Sequence, residues 1–223
     1  MAGKSLLPQW IQREFISLLA PLINLFTKWN LSPNTFTVWG LLITSIGTLI
    51  LVFDVRLIWL TGLFILLGGV CDIIDGKLAR STGRVTKFGA LFDSTIDRYS
   101  EVIMFFGIAF YYVRQEEFLL SIITFIALGG SMMVSYVRAR AEGLGFELKV
   151  GLMQRPERVV FIGVGAMLHF TLFRISLFHV QDFPVTLLEI AIWVVAVFAN
   201  ATAIQRLRFI YKKEKSYPNQ EAK

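Results

Sequence analysis

Residues 71–98 read "CDIIDGKLARSTGRVTKFGALFDSTIDR". Four aspartates, Asp72, Asp75, Asp93 and Asp97, stand here between long apolar runs. A carboxylate in or near lipid is costly and persists only with a partner. Asp72 and Asp75 are three positions apart, about 60° around a helix, while Asp93 and Asp97 are four apart, about 40°. Each pair therefore shares one helix face. The segment between the pairs, 77–87, is basic and contains glycine, so the pattern predicts two consecutive antiparallel helices whose acidic faces meet.

The rest of the chain makes those helices membrane spans. Of 223 residues, 55% are hydrophobic and 20 are Phe, and the mean hydropathy is +0.63. A bilayer core of about 30 Å takes about 20 apolar residues per helical span, and several windows meet that length. An ordinary soluble domain is excluded by this composition. The net charge of +6 does not point to nucleic acid, because the basic residues flank apolar runs as topology signals do. Cys71 is the single cysteine, which excludes an internal disulfide and a cysteine metal site and leaves a packed neutral thiol. No cleavable signal peptide is expected at the N-terminus.

The sequence predicts an all-α polytopic membrane protein, with six transmembrane helices preceded by an amphipathic juxtamembrane helix. In residues 8–29 the polar Gln9, Gln12, Arg13, Ser17, Asn24 and Lys28 recur at helical steps, apart from Trp10, Phe15, Leu19, Leu22 and Phe26. This is the pattern of a helix lying in the interface, with Pro8 near its start and Pro21 bending it. Pro33 disfavours helix at Ser32 and marks a break. The spans are expected at 36–54, 57–76, 88–113, 117–140, 157–177 and 183–204. One membrane domain covers 1–223, comprising a juxtamembrane helical segment (1–35), the six-helix core (36–204) and a basic cytosolic tail (205–223). Six spans put 19 of the 22 basic residues, from Lys4 through Lys149 to Lys223, on one side, and leave only Arg56, Arg114 and Arg174 on the other. The positive-inside rule makes the crowded side cytosolic, so the expected location is the cytoplasmic membrane with termini and active site facing the cytosol.

Four converging acids repel one another unless cations sit between them. All-oxygen ligation suits hard divalent ions such as Mg²⁺ or Mn²⁺, and Asp72 and Asp93 are placed to bridge two of them, as in two-metal phosphoryl-transfer sites. The alternative is that some acids pair with Lys77, Arg80 or Arg98. The loop favours the metal reading: Gly76 lets a ligand approach the backbone, Arg80 can fork onto a phosphate and Thr86 can donate a hydroxyl.

The spacing Asp72-x2-Asp75-Gly76-x2-Ala79-Arg80-x8-Gly89-x3-Asp93-x3-Asp97 resembles the signature of the CDP-alcohol phosphotransferases at all eight fixed positions. That family is also built of six transmembrane helices with a juxtamembrane N-terminal helix. The resemblance implies transfer of a phosphatidyl or similar group from a CDP-linked donor to a second alcohol, with release of CMP. It further implies that Asp72, Asp75 and Asp93 are ligands of two Mg²⁺ (Mn²⁺ being the other candidate), and that Asp97 is the general base and touches the second ion. Gly76, Arg80 and Thr86 correspond to nucleotide-binding positions. So do Asn34, Thr35, Phe36 and Thr37, although family members often have Asp where this chain has Asn34. The donor is a CDP-diacylglycerol or a CDP-ether lipid, and a homodimer in the bilayer is implied.

A second stretch, "SYVRARAEGLGFELKVGLMQRPERVV" (135–160), bears on the acceptor. Arg138, Arg140, Lys149, Arg155 and Arg158 concentrate positive charge at one membrane face. Pro156 starts a helix and holds Arg155 and Arg158 near its N-terminus, where anions are favoured, so a phosphorylated acceptor is expected. The stretch resembles that of phosphatidylinositol-phosphate synthases and their archaeal ether-lipid counterparts, which implies inositol 1-phosphate, with Arg138, Arg155 and Arg158 on its phosphate. Arg140 is read as topology or as an ion partner of Glu142. Glycerol 3-phosphate and then serine are the alternative acceptors. A cation transporter, the remaining class for intramembrane acids, lacks ionisable groups in the non-cytosolic halves of the spans. His169 and His179 have no ligand-like spacing, and Glu101, one turn past Asp97, is either a support to the site or a packing or ion-pair residue.

Overall fold

The computed structural model describes residues 9–148, 150–169, 171–177 and 181–216; Lys4, Lys149, His179 and Lys223 lie outside the described residues. Among these there are seven α-helices: α1 (Gln9–Lys28), α2 (Pro33–Phe53), α3 (Ile58–Ser81), α4 (Lys87–Arg114), α5 (Phe118–Gly143), α6 (Arg155–Met167) and α7 (Leu187–Ser216). A 3₁₀ turn, Val55–Leu57, joins α2 to α3. Among the described residues, four stretches are long and apolar enough to cross a membrane: Pro33–Phe53, Val55–Ser81, Phe118–Gly143 and Leu187–Lys215. The 28-residue α4 has the length but carries Asp93, Asp97, Arg98 and Glu101.

The boundaries follow local chemistry. Pro33 occupies the first helical position of α2, where its missing N–H and fixed φ cost nothing. Arg84 N–H closes on the Ala79 carbonyl at 3.0 Å past Gly83, whose φ of +68° ends α3 in a left-handed residue. Thr86 accepts from Gly89 N–H at 2.9 Å and caps α4.

The expected fifth span, 157–177, is corrected. Helix α6 has 13 residues, about 20 Å, and the chain then forms an antiparallel hairpin of β1 (Thr171–Leu177) and β2 (Gln181–Thr186), with Ile175 opposite Phe183. The sixth span begins at Leu187 rather than 183. Apolar runs rich in β-branched and aromatic residues look the same to hydropathy as helix or strand, and Pro184 suits an edge strand better than a helix interior. Within the stretch expected as a basic tail, 205–223, α7 continues as helix to Ser216.

Small residues let the helices close on one another, as helices in lipid require. A Cβ on Gly47 would stand 2.3 Å from Phe64 Cβ, and one on Gly68 2.3 Å from Thr44 Oγ1, so α2 and α3 pack backbone to backbone. Thr61 donates to the Gly47 carbonyl at 2.7 Å across the same seam. Gly62 meets α6, where an added Cβ would lie 2.2 Å from Met167 N. The core is filled by Leu51, Ile65, Phe105, Ile108, Ile162 and Ile192.

Gly62→Ala is expected to destabilise the protein by about 1–3 kcal/mol or more through overpacking against backbone. Gly129→Ala, whose Cβ meets nothing within 4 Å, should be near neutral. Thermal unfolding of the two variants in detergent checks the contrast.

Candidate active site

The acidic faces of α3 and α4 do meet. Asp72 and Asp93 each act electrostatically on Asp75, and both act on Asp97. Asp75 is buried and accepts the Thr37 hydroxyl of α2 at 2.6 Å. Asp72 Oδ1 lies 3.2 Å from where a Cβ of Gly40 would stand, so the close α2–α3 seam continues into the site.

The positive charge among the acids comes from α6. Arg155 Nη1 reaches Asp72 Oδ2 at 2.7 Å and Asp97 Oδ1 at 2.9 Å. The second of these is an ion pair without hydrogen-bond alignment, because buried Asp97 Oδ1 has no hydrogen-bond partner. Of the cations proposed from sequence as partners of the acids, Arg98 lies 3.6 Å from Asp97 Oδ2. Arg80 is instead exposed, its Nη2 3.2 Å from where a Cβ of Gly76 would stand.

Among the described residues, no three Asp, Glu, His or Cys side chains stand close enough as they lie to hold one metal ion. The donor chemistry nevertheless fits a hard divalent cation. All four groups are carboxylates, Asp97 Oδ1 is buried without a hydrogen-bond donor, and a cationic side chain already occupies the position between two of them.

The other expected residues fall around this centre. Asn34 Oδ1 lies 3.7 Å from where a Cβ of Gly89 would stand, so the start of α2 faces the start of α4. Thr35 is exposed, while Phe36 packs on Phe26 of α1 with ring centroids 4.7 Å apart. Thr86 is engaged as a helix cap. Arg84, which the sequence reading counted only as a topology charge, bonds to the side chain of Asn30 and ties the loop to the α1–α2 turn.

The basic stretch divides. Arg138 is exposed and pairs with Glu142 at 2.9 Å, the partner the sequence reading gave to Arg140. Arg158 is fully buried, with Nε and Nη2 both 2.7 Å from Glu101 Oε1 and Nη1 donating to the Met153 carbonyl at 3.2 Å. Sequence reasoning counted Arg206 only as a tail charge. Here it is buried, donates to the carbonyls of Val150 at 2.9 Å and Val134 at 2.6 Å, and lies within electrostatic reach of Arg138 and Arg158. His169 takes no part; its Nε2 is 3.0 Å from the Tyr111 hydroxyl, away from the acids.

Residues 30–199 match the family model described as CDP-alcohol phosphatidyltransferase. The chain belongs to this family. An archaetidylinositol phosphate synthase of Pyrococcus horikoshii is 36% identical over 179 residues, 80% of this chain and 82% of that protein. A phosphatidylinositol phosphate synthase of Streptomyces avermitilis is 33% identical over 207 residues, 92% of this chain and 82% of that one. The crystal structure of Mycobacterium tuberculosis phosphatidylinositol phosphate synthase with CDP-DAG bound superposes with a TM-score of 0.69 at 30% identity, covering 84% of this chain and 90% of that one. A second structure of that enzyme, in complex with manganese and citrate, gives 0.70 at 29% identity, covering 86% and 88%. As a CDP-alcohol phosphatidyltransferase, the chain is a transferase of phospholipid synthesis.

Thr37 supports Asp75 with a hydrogen bond to a charged group, an interaction of about 1.5–3 kcal/mol. Thr37→Val is therefore expected to lower kcat/KM for CMP release about tenfold or more, with Thr37→Ser close to wild type.

Proposed function

We propose that this transferase moves the phosphatidyl group, ester- or ether-linked, from a CDP-lipid to inositol 1-phosphate and releases CMP. The observation that carries the reading is the meeting of Arg155, from the QRPER turn, with Asp72 and Asp97, from the CDP-alcohol signature. A phosphate-type side chain and the acidic cluster converge on one point. The names of the relatives in Pyrococcus and Streptomyces, with the mycobacterial structure holding CDP-DAG, support the donor and acceptor.

In the proposed roles, Asp72, Asp75, Asp93 and Asp97 hold a pair of divalent cations, Mg²⁺ or Mn²⁺; the manganese complex of the mycobacterial enzyme supports this. When bound, those ions neutralise the donor pyrophosphate and the departing CMP oxygen. Asn34, Thr35, Phe36, Thr37, Gly76, Arg80 and Thr86 line the nucleotide side. Exposed Arg80 is positioned to fork onto a phosphate, while Phe36 and Thr86 act by fixing the start of α2 and of α4. Asp97 takes the proton of the acceptor hydroxyl. The acceptor oxygen bonds to the lipid-side phosphorus, the bridging phosphorus–oxygen bond breaks, and CMP leaves.

Arg138, Arg155 and Arg158, expected together on the acceptor phosphate, carry this role unequally. Arg138 is exposed and Arg155 partly accessible, and these two contact the phosphate; buried Arg206, which pairs only with backbone carbonyls, adds positive charge behind them and favours a dianionic acceptor over serine. We place α1 at the interface and the helices α2–α7 as six membrane elements, with α4 and α6 completed by their neighbours. The whole forms one membrane domain with the site on the cytosolic side of the cytoplasmic membrane, and it works as a homodimer.

CMP release from CDP-diacylglycerol with inositol 1-phosphate, glycerol 3-phosphate or serine tests the reading. Inositol 1-phosphate should give the highest kcat/KM, and preference for serine would overturn the role of the arginines. Asp97→Asn should lower kcat by about 100-fold or more while metal-dependent donor binding persists; near-normal turnover would remove the base from Asp97.

A further inference from the structure

Helices α4 and α6 are linked by two rungs one turn apart. The outer rung is Asp97 with Arg155 at 2.9 Å; the inner is Glu101 with Arg158 at 2.7 Å. On α4 the acids are spaced i,i+4 and on α6 the arginines i,i+3, so both rungs lie on facing sides. The outer rung is partly accessible, its side chains 13% and 16% exposed. The inner is closed, at 0% and 1%.

The inner rung is closed to a ligand by burial, although Arg158 Nη2 and Glu101 Oε2 have no aligned hydrogen-bond partner. Arg158 directs Nε and Nη2 at Glu101 and Nη1 at the Met153 carbonyl. Glu101 Oε1 also accepts the Ser131 hydroxyl of α5 at 2.6 Å, and Oε2 lies 3.7 Å from Arg98 Nε. One carboxylate thus ties α4, α5 and α6 together.

Among the described residues, α4 packs on α2 and α5, and α6 on α3 and α7, while the α4 and α6 backbones make little direct contact. A water-sized cavity of about 10 Å³ lies where α2, α3, α4 and α6 converge, lined among others by Thr44, Asp72, Ser100, Glu101 and Arg155. Met104, Phe105 and Ile108 of α4 share one apolar cluster with Ile162 and Ala166 of α6, which holds the two helices in the same core; the ladder adds the direct polar contacts between their site-facing turns. The first turn of α6 is itself stiffened by Pro156 and by Glu157, which accepts the Gln154 N–H. Holding Arg158 thus fixes Arg155 one turn away.

We infer that Glu101 is a positioning residue for the acceptor end of the site, acting through Arg158 to hold Arg155 at Asp72 and Asp97. Arg158 is accordingly a strut rather than a phosphate ligand. This rests on the proposed reading of Arg155 as the acceptor-phosphate contact.

The test uses the full-length protein in detergent, with CMP release from CDP-diacylglycerol and inositol 1-phosphate. Glu101→Asp keeps the charge and retracts it by one methylene. Glu101→Gln combined with Arg158→Met removes both charges, so no orphan ion is left buried. In both variants KM for the acceptor should rise about tenfold, with donor KM within about twofold of wild type. The double variant should unfold within about 3 °C of wild type. If the double variant keeps a wild-type acceptor KM, or loses donor and acceptor affinity equally, the inference is overturned. If Arg158→Met alone raises acceptor KM while Glu101→Asp leaves it unchanged, Arg158 binds phosphate itself and the positioning role of Glu101 fails. Wild-type protein inactive with every phosphorylated alcohol would overturn the functional reading as well; active wild type with unaltered variants overturns this inference alone.

Discussion

Arg155 between Asp72 and Asp97 is the contact on which the arrangement of the site depends. Without it, a row of carboxylates would stand poorly solvated between membrane helices, each repelling the next. Removing one member of such a pair typically costs about 3–5 kcal/mol, because the other is left uncompensated. The same guanidinium draws the first turn of the short α6 onto the acidic faces of α3 and α4. In the proposed reading, donor-side and acceptor-side chemistry are thereby joined through one side chain.

That contact is reached only because the helices beneath it are thin. Gly40 and Gly68 bring α2 and α3 to backbone distance, and the same seam seats Asp72 Oδ1 against Gly40 and Asp75 under Thr37. On the other side, Gly62 admits α6 against α3. In lipid, where apolar burial does not drive helix association, close approach of this kind supplies the packing energy. It also supplies the rigidity that a geometry-sensitive phosphoryl transfer requires.

Much of this was legible in the chain. The acidic spacing predicted facing helices, and α2 to α5 lie within a few residues of the apolar windows that announced them. The stretch expected to lie beside the membrane is helical from Gln9 to Lys28. Two things were not legible. Hydropathy could not separate the strand Thr171–Leu177 from a continuing helix, since a run containing Leu, Phe and Ile scores as apolar in either. Nor could spacing say which arginine meets which acid: Arg138 and Arg140 both sit within reach of Glu142, and Glu101 has the same offset from Asp97 whether it packs, pairs with Arg98 or anchors Arg158. Those pairings depend on helix rotation and on the placement of α6, which are long-range properties. The signature showed the acids clearly because a local period encodes them, and left their cation partner unassigned because it arrives from more than fifty residues away.

Equilibrium Mn²⁺ binding to the purified protein, followed by electron paramagnetic resonance, tests most directly whether the α3 and α4 acids form one cation cage. Saturable binding that weakens by about tenfold or more in both Asp72→Asn and Asp93→Asn, one substitution on each helix, is the predicted result. Wild-type affinity retained in either variant would contradict a shared cage.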